Sequence, residues 1–305
     1  MSPEETIATI DELKNLDLSI YPIDEIVARL KTFRNFPAHA TDYHVGNIVY
    51  RIRPNENEGS FKTISDLSYK PKKFNNTFQR ASHPQQTMFY GSIIPLANQQ
   101  SKIDAGRIIA IAEGSKLFRA KDNEDGRETV TFGMWRLQDT VSLATILHPD
   151  IEKNISPFAR ERAAVFMEWL SKYPEIEEQA KAILAFYAEE FAKLVEIGEP
   201  DYNYLHSAIL TDFFLRNSKQ NFHGVCYPST RVEGEGINVA IHPDFVNAHM
   251  RLEGAMECII EKRGDHFVCI NLKVAWLNSG QTEFAFKYLV DPDKLDEEIE
   301  KGFNS

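Results

Sequence analysis

Between residues 156 and 216 the apolar residues recur at helical spacing through three successive stretches. Ala163, Phe166, Met167 and Leu170 share one helical face after a Ser156 cap and Pro157. Pro174 restarts the chain. Ile176, Ala180, Ile183, Leu184, Tyr187, Phe191, Leu194 and Val195 then form a long stripe, with Glu177, Glu178, Glu189 and Glu190 on its wet side and Gly198 and Pro200 ending it. A third helix is expected over 204–216, with Leu205, Ala208, Ile209 and Phe213 inward. The flanks have strand character instead. Residues 48–52 are β-branched and aromatic, 87–90 and 237–241 are short strand candidates, and 256–276 read as a hairpin. In its second arm Val268, Ile270, Leu272, Val274 and Trp276 alternate with Cys269, Asn271, Lys273 and Ala275, which predicts one buried face. The pattern as a whole reads as α+β.

The remaining stretches are less regular. Residues 1–45 read as an N-terminal helical extension, with Ile7, Ile10 and Leu13 on one helix and Ile23, Ile26, Val27 and Leu30 on a second. Residues 46–305 form the main domain. Residues 55–79 read as a long loop, and loops of that length are often functional. The apolar run 108–112 is a buried strand or a buried helix, because periodicity does not separate the two. Segments 116–119 and 128–133 could pair as strands around a charged turn at 122–127. Residues 284–289 suggest another strand, and the acidic tail from Asp291 a short solvated helix.

The formal net charge of -11 argues against a nucleic-acid ligand, since a duplex-binding face is usually basic. Three cysteines without a CxxC predict reduced thiols. No basic-then-apolar leader and no long apolar stretch is present, so a cytoplasmic protein is expected, with no membrane contact. There is no phosphate-binding glycine motif and no HExxH, so no metal or cofactor is expected, and without a GxSxG elbow Ser229 is not expected to serve an esterase triad.

Two stretches carry polar residues suited to chemistry. The first runs from Arg80, with Tyr90 ten residues later, to Glu113 at the end of the apolar run. The second holds Tyr227-Pro228-Ser229 and then Asn238-Val239-Ala240. Arg, Tyr, Glu and Ser together suit cleavage of a glycosidic bond beside a pyrophosphate. When nicotinamide leaves a ribose, positive charge develops on the sugar, and the leaving group departs neutral without needing a proton. One fixed carboxylate can then stabilise the cationic centre, while an arginine fork holds phosphate or ribose oxygens.

At these residues the chain resembles the RES domain, named for its Arg, Glu and Ser. The resemblance covers roughly residues 46–245, and Tyr50-Arg51 fits the family's first strand. The second half, YPS-x-R followed by NVA, is its more specific part. The chain departs from the family around the arginine, where Gln79, Ala81 and Ser82 stand in place of a glycine, an aromatic residue and an asparagine. The family comprises toxins of bacterial toxin–antitoxin pairs that degrade NAD+. The resemblance implies an ADP-ribosyltransferase-like mixed sheet with flanking helices, and makes the block at about 150–200 a helical insertion. It implies Glu113 and Arg80 as catalytic residues, and Tyr90, Ser229, Arg51 and Asn238 as substrate-binding ones. Glu128 is the second candidate for the carboxylate, and Arg231 reads as structural. NAD+ would be the substrate, water or inorganic phosphate the acceptor, and a helix-turn-helix antitoxin the partner, with homo-oligomers left open. Transfer of ADP-ribose to a macromolecule, or a non-catalytic binding module, are the alternatives.

Overall fold

The computed structural model describes residues 1–33, 37–55, 59–93, 105–119, 125–217, 221–229, 231–232 and 236–304. Among them the chain forms α1 (Pro3–Lys14), α2 (Ile23–Leu30), β1 (His39–Tyr43), β2 (Ile48–Pro54), β3 (Phe89–Ile93), α3 (Ala105–Gly114), α4 (Lys116–Arg119), β4 (Gly126–Leu137) and β5 (Val141–Thr145). Helices α5 (Pro157–Leu170), α6 (Pro174–Ala192) and α7 (Leu205–Asn217) follow. The rest is β6 (Gly224–Pro228), β7 (Ile237–Ile241), α8 (Pro243–His249), β8 (Met250–Arg263), β9 (His266–Trp276), β10 (Lys287–Tyr288) and α9 (Leu295–Phe303). Ten strands make one mixed sheet in the order β1-β5-β6-β7-β3-β2-β4-β8-β9-β10. The fold is α+β.

The helical block has a topological reason. Strands β5 and β6 are neighbours and parallel, with Ala144 opposite Val225 and Thr145 opposite Cys226. Parallel neighbours need a crossover, and α5–α7 are that crossover. The Ser156 hydroxyl caps α5 by accepting from the Ala159 N–H, with Pro157 in the first turn, as its sequence predicts. Helix α6 stops at Ala192, short of the expected end, leaving Leu194 54% exposed. Glu190, expected on the wet side, is buried.

One face of the sheet carries most of the helices. Ile10, Leu13, Ile26 and Leu30 from α1 and α2 join Ala163, Phe166, Ile183, Tyr187, Leu205 and Ile209 of the crossover over Val225, Tyr227 and Ala240. The N-terminal residues thus share the main core, and residues 39–43, expected in the helical extension, are an edge strand paired with β5. On the same face Ala110 and Ile111 of α3 cover Val130, Phe132, Cys258 and Ile260. The run 108–112 is therefore helical, and residues 116–119 are helix α4, not a strand. The opposite face buries Val49, Phe89, Ile93, Trp135, Val239 and Ile241 with Phe245 and Val246 of α8.

The β8–β9 hairpin forms as expected but carries an irregularity. Glu257 pairs with Lys273, whereas Cys258 pairs with Asn271, so Leu272 is an extra residue on β9. The bulge reverses the facing of everything beyond it. Ile270 and Leu272 lie under Ile299 and Leu295 of α9, while Trp276 lies on the other face, 67% exposed. The single alternating buried face read from the sequence is thus divided in two. The acidic tail helix buries Ile299 completely, and only Lys287 and Tyr288 of 284–289 pair with β9. The first half of the charged turn expected at 122–127 lies outside the described residues. No helix among the described residues is long and apolar enough to cross a membrane.

Candidate functional site

Strand register brings part of the predicted set together. Tyr227 of β6 lies opposite Asn238 of β7, and Asn238 opposite Ser92 of β3. Tyr90, two residues along β3 from Ser92, pairs with Ala240 and faces the same way. These residues form a polar patch on the helix-covered face, between the crossover helices and α3.

Helix α3 delivers the carboxylate. The Ser92 hydroxyl donates to the Gly106 carbonyl at 2.8 Å, which fixes the start of the helix. Two glycines allow its close seat. A Cβ on Gly114 would lie 2.0 Å from Ile52 Cγ2, and one on Gly236 would lie 2.4 Å from Ile109 Cγ1. Glu113 sits in the last turn of α3, where the helix dipole disfavours a negative charge. Its position is not that of an N-terminal capping carboxylate. Two side-chain donors hold it instead. Glu113 Oε1 accepts from Ser229 Oγ at 2.6 Å and from Asn238 Nδ2 at 2.7 Å. Both donors are buried, and Ser229 is wholly so. The Arg231 N–H donates to Ser229 Oγ at 3.3 Å, fixing the hydroxyl that faces Glu113. Among the described residues no hydrogen bond engages Glu113 Oε2.

Arg80 stands at the tip of a tight turn. Gln79 and Ser82 close that turn by exchanging two backbone hydrogen bonds. Tyr90 pins it, its phenol oxygen accepting from the Ala81 N–H at 3.1 Å and sharing a hydrogen bond with Ser82 Oγ at 3.0 Å. The Arg80 guanidinium donates to the Phe191 carbonyl and, at 2.8 Å, to the Lys193 carbonyl. A cation here suits the C-terminal end of α6 and accounts for where that helix stops. The same guanidinium lies 5.3 Å from the Tyr204 ring centre and 5.9 Å from that of Tyr227.

Tyr227 links the two halves of the patch. Burial pushes its phenol well above the usual tyrosine range; the nearby Arg80 charge opposes this and the Glu113 charge adds to it. Burial likewise pushes Tyr90 up to about 12, against the pull of Ser82, the Ala81 N–H and Arg80. Both phenols are neutral hydrogen-bonding groups at ordinary pH.

Arg51 does not join the patch. It and Tyr90 have opposite parity across the paired strands β2 and β3, so its side chain leaves the other face of the sheet. There it lies over the Phe89 ring and donates to the Tyr90 carbonyl at 2.6 Å and the Ser68 carbonyl at 3.1 Å. Burial, then the neighbouring Arg53 charge, lowers it to about 10. Arg51 and Arg53, which donates to the Asp66 carbonyl, hold the 59–88 segment against the sheet. Glu128 is also elsewhere. Its carboxylate accepts from Ser115 Oγ at 2.5 Å and from the Lys116 N–H at 3.1 Å, at the start of α4, where a negative charge is favoured. Arg231 ties the chain after β6 to the end of α6 through Glu196 at 3.3 Å.

Reasoning from sequence missed Tyr204, Tyr227 and Ser82. Tyr227 lay inside the Tyr-Pro-Ser motif and its parity with Asn238 was the available signal. Nothing local marks Tyr204.

Near the end of α6 the buried Glu190 carboxylate pairs with Lys193 and His206. Glu190 Oε2 is 3.1 Å from His206 Nδ1 and 2.6 Å from Lys193 Nζ. Burial raises the Glu190 carboxyl, but the His206 and Lys193 partners more than offset it, so its value is lowered. A carboxyl lowered in the folded state stabilises the fold above its ordinary value of 4.5, and that contribution is lost as pH falls through the lower folded value. The thermal midpoint of the wild type should therefore fall more steeply between pH 5 and pH 3 than that of Glu190→Gln, as read by calorimetry. Parallel curves would show that the pair is energetically silent.

No protein-family model matches the chain, and no curated protein matches it.

Proposed function

We propose that the chain cleaves the nicotinamide–ribose bond of NAD+, by hydrolysis or by phosphorolysis. One observation carries the reading: a carboxylate at the unfavourable end of its helix, held through one oxygen by Ser229 and Asn238, on the same sheet face as the Arg80–Tyr90–Tyr227 group. Nothing in the local structure of α3 favours that charge, whereas a developing ribosyl cation would. Held through Oε1, Glu113 presents Oε2 to the sugar. Its donors are in place before the ligand arrives, so little reorganisation accompanies the chemistry. Arg80 keeps N–H donors beyond the two committed to α6, and these suit phosphate or ribose oxygens. The aromatic faces of Tyr90 and Tyr227 suit the nicotinamide ring. A cavity of ≈ 220 Å³ lined by Phe191, Tyr227, Pro228, His148 and Lys153 meets the group at Tyr227.

The reading includes an ADP-ribosyltransferase-like arrangement of the sheet, a cytoplasmic location, depletion of cellular NAD+ as the toxic effect, and a helix-turn-helix antitoxin as the controlling partner. Purified protein incubated with NAD+, with and without phosphate, tests the core of it by chromatography. Release of free nicotinamide is expected. ADP-ribose as the second product marks hydrolysis, and a phosphate-dependent phosphorylated ADP-ribose marks phosphorolysis. ADP-ribose retained on a macromolecule would replace this reading with a transferase. Absence of nicotinamide release would overturn it.

A further inference from the structure

Cys258 and Cys269 lie under α3, on two different strands. One nitrogen of Arg107 touches both. Arg107 Nη2 is 3.3 Å from Cys258 Sγ, 3.7 Å from Cys269 Sγ and 2.6 Å from Asn271 Oδ1. Its guanidinium also lies 4.9 Å from the Phe132 ring centre. The Cys258 thiol also contacts Asn271 Oδ1 at 3.4 Å. The third cysteine, Cys226, is fully buried elsewhere, with its thiol against Thr145.

The β9 bulge creates this arrangement. Without the extra residue at Leu272, Cys258 would pair with Leu272, and Cys269 would face the opposite side of the sheet. With it, Cys258 pairs with Asn271 and Ile260 with Cys269, which puts both sulfurs on the α3 face as diagonal neighbours. Such irregularities often re-aim a side chain near a functional site.

We propose that Cys258 and Cys269 form a reversible disulfide, with a hydroperoxide as the oxidant. Cys269 is the partly exposed thiol and reacts first, with an Arg107 nitrogen 3.7 Å from its sulfur. The neighbouring Cys269 thiol and then burial hold Cys258 in its protonated form against the pull of Arg107, which leaves it as the resolving thiol. In the first step the Cys269 sulfur attacks the peroxide. An S–O bond forms, the O–O bond breaks, and water leaves with the thiol proton, giving a sulfenic acid. In the second step the Cys258 sulfur attacks that sulfenic sulfur. The S–S bond forms, the S–O bond breaks, and a second water leaves with the Cys258 proton. The two thiols together lose two electrons and hydrogen peroxide gains them. A thiol reductant reverses the result by exchange.

The disulfide also reaches the candidate site. Arg107 and Glu113 belong to the same helix, and oxidation ties together the two sulfurs that Arg107 contacts. The helix then loses part of its anchor to β8 and β9, and the geometry of Glu113 against Ser229 and Asn238 loosens. This second part rests on the proposed NAD+ chemistry only for its activity readout.

The experiment uses the full chain. Protein treated with stoichiometric hydrogen peroxide is alkylated, digested without reductant and mapped by mass spectrometry. A Cys258–Cys269 cross-linked peptide is expected, with Cys226 alkylated, and dithiothreitol should restore both thiols. Cys258→Ser should instead leave Cys269 as a sulfenic acid trapped by dimedone. Arg107→Gln should slow cross-linking roughly tenfold, the change expected for about one unit in the attacking thiol's pKa. Oxidation of Cys226 in preference, or of Cys269 to sulfinic acid without any cross-link, would overturn the assignment. These readouts need no enzyme activity, so they stand apart from the test of NAD+ cleavage. Coupling to α3 is read by amide exchange over 105–114, expected to quicken at least about fivefold on oxidation, the lower end of ordinary coupling between sites. Unchanged exchange would remove the link to Glu113.

Discussion

Glu113→Gln should lower the rate of nicotinamide release from NAD+ by roughly 100- to 1,000-fold, the usual loss when one preorganised electrostatic group is removed from a reacting centre. The substitution keeps the shape, and the new amide oxygen can still accept from Ser229 Oγ and Asn238 Nδ2. What disappears is the negative charge. The thermal midpoint should hold or rise slightly, because a charge disfavoured at the end of α3 has been removed. Glu128→Gln provides the contrast. It weakens the cap of α4 and should cost about 1 kcal/mol of stability while leaving turnover near that of the wild type. Equal turnover in wild type and Glu113→Gln would remove this carboxylate from the mechanism.

Lys273→Met should destabilise the protein by about 3–5 kcal/mol. Glu257 has a side chain only 4% exposed, and Lys273 Nζ reaches its Oε1 at 2.6 Å from a position 16% exposed. Asn55 Nδ2 donates to the other oxygen at 3.1 Å, and Asn55 in turn accepts from Thr131. Removing the ammonium leaves a carboxylate in the sheet with a single neutral donor and no counter-charge. The pair stands immediately before the β9 bulge, so its loss also loosens the register that turns Cys269 and Asn271 toward α3. The double variant Glu257→Gln/Lys273→Met removes the uncompensated charge and should recover most of the loss. Urea denaturation of the three proteins decides the matter. A double variant as unstable as Lys273→Met would mean that packing, not charge, sets the cost.

The two predictions draw on different kinds of information. Helices α5, α6 and α7 were legible because apolar spacing and the Ser156-Pro157 start act within a few residues of each other. The β8–β9 hairpin was legible for the same reason, since its strands are joined by a short turn. The residues that meet at Glu113 could be proposed only from motif resemblance. Their side chains touch across 116 and 125 positions of chain, and no local pattern encodes such a contact. Arg51 and Tyr90 show what motif reading lacks. Both were expected to bind substrate, yet their opposite parity on paired strands puts a sheet between their side chains.

Local spacing thus determined the α+β character, the three helices between residues 156 and 216 and the strands of the β8–β9 hairpin, because those signals depend on the 3.6- and 2-residue periods of the backbone. Tertiary structure alone decided that residues 108–112 are a helix, that Arg80 ends α6, and which face each side chain of β9 takes. The last of these turns on strand register and on one extra residue at Leu272. A shift of a single position in a strand reverses every side chain beyond it, and only the pairing of distant strands selects that position.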